Sequence, residues 1–192
     1  MFYTGASERT LAFAALIEGF FGCLWFGWGQ EGPPAWAVPV LITGQILAVL
    51  LLLGGVVAIL RSPRDSSPLR DRAAARRYGI TVGAEFGVCG VGAAILGATG
   101  HAEFISALIC FVVGIHFTPL NRVFPGIGML ALSGAVTAVA VAALITGLAS
   151  PVLPSTVTGL GAGLCLLGHG AALLAGSLSR KTPSRKSPAA AR

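Results

Sequence analysis

The polar positions of this chain fall in short clusters, and between them run apolar stretches of the length a bilayer demands. A helix that crosses the roughly 30 Å hydrocarbon core needs about 20 apolar residues, at about 1.5 Å of rise each. Against that template the sequence predicts six spans, at about 10-29, 35-60, 78-98, 103-121, 124-148 and 156-178, the fourth being the shortest. Three of the connections are tight and carry proline or glycine: Gln30-Glu31-Gly32-Pro33-Pro34, Thr99-Gly100-His101-Ala102 and Ser150-Pro151-Val152-Leu153-Pro154. Proline cannot donate to a helix and glycine weakens one, so helices stop there. The expected fold class is all-α: a polytopic bundle of six transmembrane helices over 1-178. A basic tail at 179-192, rich in Ser, Pro and Ala, cannot build a core and reads as disordered and cytoplasmic.

Composition agrees with the pattern and excludes a soluble single-core domain, since 55% of residues are hydrophobic, 10% are charged and the mean hydropathy is +0.83. A net charge of +6 would suit a nucleic-acid partner, but the basic residues lie in loops and the tail rather than on a folded face. No nucleic acid is therefore expected; the bilayer is the expected partner. All 13 lysines and arginines sit at one end of the predicted bundle: Arg9, the cluster within 61-77, Arg122 and the tail. The positive-inside rule then puts both termini in the cytoplasm. Arginine outnumbers lysine and alanine and glycine are abundant, a bias that suits a bacterium with a GC-rich genome, so the expected location is a bacterial inner (plasma) membrane. The first run carries Glu18 and no small-x-small cleavage site, so it is expected to be a retained span. Trp25, Trp28 and Trp36 cluster around the first turn, where amphipathic rings favour the interface.

Glycine is the main packing signal, with 27 in the chain. In lipid, apolar side chains gain little by leaving acyl chains, and small residues drive association by letting backbones approach. Gly83, Gly87, Gly90 and Gly92 in span three and Gly159, Gly161 and Gly163 in span six mark those spans as expected interior helices. The same faces would serve a homo-oligomer or a membrane-protein partner.

Candidate chemistry lies in four ionisable residues inside the spans: Glu18, Glu85, His116 and His169. Such groups are costly in hydrocarbon and normally face the interior, pair, or line water. Counted from the basic ends of their helices, they lie at depths of roughly 9 to 16 Å, so four groups from four helices can share one layer. A weak echo links Glu18 with Cys23 to Glu85 with Cys89, and Gly114 with His116 to Gly168 with His169. A carboxylate beside an imidazole is the chemistry needed to take up and release protons within a membrane. Movement of a small solute or proton-coupled ion through the Glu/His layer is the leading expectation. Thr43, Gln45, Ser133 and Thr137 are candidate supporting polar groups. The alternative is a non-transporting subunit or scaffold held by its glycine-rich faces, in which Glu-His bonds are purely structural.

A redox or metal-dependent membrane enzyme is the third reading. Glu85 with Cys89 and Cys165 with His169 are each four residues apart on one helical face and are the only metal-ligand candidates, but Cys23, Cys89, Cys110 and Cys165 read more simply as buried thiols. No metal site or cofactor is expected, and no nucleophile motif, paired aspartates or phosphate-binding loop accompanies them. Catalysis is therefore not expected. In the segment from His116 to Pro125, Pro119 ends the fourth helix before a short turn. His101, beside Glu103, reads as a solvated turn residue.

Overall fold

The computed structural model describes residues 6-62, 72-124 and 128-179. They form six α-helices, α1 (Glu8–Trp28), α2 (Val38–Arg61), α3 (Arg72–Ala98), α4 (Ile105–Leu120), α5 (Met129–Ala149) and α6 (Pro154–Ser179), with a single 3-10 turn at Ala102–Phe104 leading into α4. All six are long and apolar enough to cross a membrane, α4 together with its leading turn, and they point to a multi-pass membrane protein. The tail beyond 179, the polar stretch 63-71 and Pro125 lie outside the described residues.

The helix ends follow from local chemistry. Ser7 caps α1, its Oγ accepting from the Thr10 backbone N–H at 3.1 Å. Arg9 donates from Nη1 to the carbonyls of Ile59 and Ser62 at 3.2 and 3.4 Å, placing a cation on the last turn of α2. Pro119 lies in the last turn of α4, which stops at Leu120. Near that end the Asn121 and Arg122 N–H groups turn back onto the carbonyls of Phe117 and Pro119.

α6 is the central helix, packed against α1, α2, α4 and α5. Its buried positions Gly159, Ala162, Gly163, Leu166, Gly170 and Leu173 recur at helical spacing. Two contacts show why small residues are needed. A Cβ on Gly159 would stand 2.5 Å from the Gly29 Cα, and one on Gly19 would stand 2.6 Å from the Leu52 backbone nitrogen, so α1 meets α6 and α2 nearly backbone to backbone.

α3 corrects the expectation that both glycine-rich spans are interior. It packs chiefly on α4, only Cys89 along it is buried, and Gly79, Gly83, Gly87, Gly90 and Gly97 face open space. Only Gly92 of this helix serves as a packing notch, against Leu108. The interface reading of the tryptophans also divides. Trp36 is 64% exposed, but Trp25 is buried in the core with Cys110, Leu132 and Val136, its ring stacked on Trp28 at 5.7 Å between centroids.

Candidate functional site: two carboxylate–imidazole pairs on one cavity

The buried face of α1 runs through Leu11, Ala15, Glu18, Gly22 and Phe26, a spacing that keeps Glu18 inside the bundle with its apolar neighbours. Glu18 is 4% exposed. Its oxygens lie 2.8 and 2.9 Å from Nδ1 of His169 on α6, so both arms of the carboxyl group reach the same ring nitrogen. Space for this pair comes from two glycines. A Cβ on Gly170 would approach the Glu18 side chain to 3.2 Å, and one on Gly128 would come within 3.0 Å of His169 Nε2. Gly128 also has φ +77°, the left-handed conformation, at the residue before α5.

The second pair joins α3 to α4. His116 Nδ1 lies 3.2 Å from Glu85 Oε2, with both side chains largely buried. Nδ1 has no aligned hydrogen-bond partner, so this contact is electrostatic and looser than the first. The geometry therefore matches each acid from an odd-numbered helix with a histidine from an even-numbered one.

Glu18, Glu85 and His116 line a single cavity of about 190 Å³ between α1, α3 and α4. Its walls are otherwise mostly apolar, with Ile17, Phe21 and Trp25 from α1, Val82 and Phe86 from α3, and Val113 and Phe117 from α4. At the basic end, Tyr78 and Phe124 meet edge to face at 6.0 Å. Phe13, Phe21 and Phe86 both line the cavity and are exposed on the flank of the bundle, so its mouth opens sideways through an apolar rim. His169 is not on the wall; it stands behind Glu18.

The remaining candidates lie elsewhere. Thr43 is exposed on α2, and Gln45 pairs its Oε1 with the Gln30 side chain near the first turn. Thr137 packs where α4 and α5 touch, against Gly114, and Ser133 shares a 2.8 Å hydroxyl bond with Thr118. None of the four lines the cavity. Among the described residues no group of three or more His, Cys, Asp or Glu side chains is placed to hold a metal, and Cys23, Cys89, Cys110 and Cys165 are free thiols, the first and last only partly buried. His101 lies 3.9 Å from Glu103 on the surface. Thr10, Tyr78 and Phe124, which complete the cavity, carry no sequence signal that sets them apart; Gly170, adjoining His169, does, because small residues beside a buried ionisable group leave it room.

Compared with protein-family models, curated proteins and solved structures, the chain matches none.

Proposed function

We infer that the protein carries protons, alone or coupled to a small solute, across a membrane, with Glu85 and His116 as the exchanging pair. The carrying observation is the difference between the two pairs. Glu18 lies on the cavity wall but is locked through both oxygens to His169 behind it, whereas Glu85 and His116 touch without a hydrogen bond and both face the cavity. A group that must gain and lose a proton needs access and an incomplete bond; one that holds helices together needs neither. The apolar walls suit a solute with an apolar body and one polar group, admitted from the flank. The orientation proposed is both termini in the cytoplasm, supported by the basic residues gathering at one end, and the location proposed is a bacterial inner membrane, supported by the bias towards arginine, alanine and glycine.

The test is proton uptake into proteoliposomes holding a trapped pH dye, driven by a potassium diffusion potential. Wild type is expected to acidify or alkalinise the lumen at a rate that depends on external pH, and Glu85→Gln to abolish that flux while keeping the same elution volume in detergent. Undiminished flux in Glu85→Gln defeats the assignment. One observation favours the scaffold reading, namely the run Gly79, Gly83, Gly87 on α3 with nothing against it. It fits a second helix, from another copy or another membrane protein, and is compatible with transport.

A further inference from the structure

At the opposite end of the bundle from the basic residues, the three tight turns gather around a second pocket, of about 270 Å³. It is lined by Glu31 from the first turn, Glu103 from the second, Ser155 at the start of α6, Ser106 in the first turn of α4, and Trp28. Glu31 and Glu103 are the only carboxylates in the turns at that end, where the sequence places no lysine or arginine. Both face one pocket instead of spreading over the surface. Ser106 supplies the independent sign of a ligand. It is 2% exposed, and its Oγ has no hydrogen-bond partner among the described residues. A buried hydroxyl without a partner forfeits its hydration for nothing, and a ligand that donates to it would restore the lost bond.

We propose that this pocket binds a small organic ammonium ion. An ammonium group has three N–H donors, and the pocket offers two carboxylates and the orphaned hydroxyl to accept them. The Trp28 Nε1–H donates to Glu31 Oε2 at 3.0 Å, holding that carboxylate at the rim, and the Trp28 ring adds a π face for a cation. The shape argues against a bare metal ion, because calcium needs six or more oxygens at close range, whereas this pocket is wide and has Trp28, Ala102 and Leu153 in its wall. The group that competes for Glu103 is His101, whose Nδ1 lies 3.9 Å from Glu103 Oε1. The site is separate from the Glu85 cavity. Trp25 lines that cavity and Trp28 lines this pocket, so their stacked rings stand between the two.

The experiment is calorimetric titration of the full-length protein in lipid nanodiscs with n-butylammonium chloride, with n-butanol and calcium chloride as parallel titrants. Saturable binding of n-butylammonium is expected, with Glu103→Gln weakening it about ten-fold or more and Ser106→Ala weakening it several-fold. Ser106→Ala removes only an unpaired hydroxyl, so its thermal unfolding is expected at or above that of wild type, which separates loss of the ligand from loss of the fold. Equal binding of n-butanol would reduce the pocket to an apolar cleft. Displacement of n-butylammonium by lower concentrations of calcium would make it an inorganic cation site. Either result, absence of binding, or affinity unchanged in both variants overturns the proposal.

Discussion

At the scale of single residues, the two acids inside this bundle have different surroundings and different expected roles. Glu18 engages His169 through both oxygens, buried and braced by the close approach of Gly170. Replacing it with leucine removes both carboxylate contacts to the imidazole Nδ1. Unfolding in detergent is expected to become easier by about 1–2 kcal/mol, the upper range for hydrogen bonds between membrane helices. Glu85→Leu removes a 3.2 Å electrostatic contact beside a cavity that can readjust, and a smaller loss is expected. Thermal unfolding of the two variants side by side checks the order. If Glu85→Leu is the more damaging, the division into a structural and an exchanging pair is wrong. That these four residues need partners was legible in the sequence, because an ionisable group within an apolar run of 20 residues has to be compensated somehow. Their pairing was not, since Glu18 and His169 are 151 positions apart and only the packing of α1 on α6 makes them neighbours.

Glycine has two opposite uses in different elements. On α1 and α6 it lets backbones touch; on most of α3 it faces nothing. Gly19→Leu must push α1 away from the Leu52 backbone, which cannot yield as a side chain would, and a loss of roughly 1–3 kcal/mol or outright misfolding is expected. A Cβ at Gly83 would meet no atom within 4 Å, and Gly83→Leu exchanges a poor helix former for a good one, so the monomer fold should survive. If α3 docks a second copy, the same substitution shifts the molecular mass measured by light scattering from an oligomer to a monomer. A normal mass with Gly83→Leu, alongside a damaged Gly19→Leu, would leave the α3 face to lipid alone. Glycine content in a sequence marks helices capable of close approach. It cannot say which approach is made inside the chain, and so α3 stands at the edge and α6 at the centre although both are rich in glycine.

For the whole molecule, the distribution of charge defines two ends. The turns with Glu31 and Glu103 face one side, and Arg9, Arg61, Arg72 and Arg122 border the other. With the four native cysteines replaced by alanine, Ser62→Cys is expected to resist an impermeant maleimide in intact cells, and Ala102→Cys to react. The reverse pattern would invert the proposed orientation, and with it the side from which an ammonium ion reaches the Trp28 pocket. The amino-acid sequence by itself determined that the chain forms six apolar helices with tight turns at three of their connections, because span length and helix-stopping residues are local properties set by the thickness of a bilayer and the geometry of a helix. Tertiary structure alone decided which acid meets which histidine, that Trp25 is core while Trp36 is surface, that α3 stands at the edge, and that two cavities lie on either side of a tryptophan stack. Those are relations between helices far apart in the chain, fixed by which small residues interlock, and no local pattern contains them.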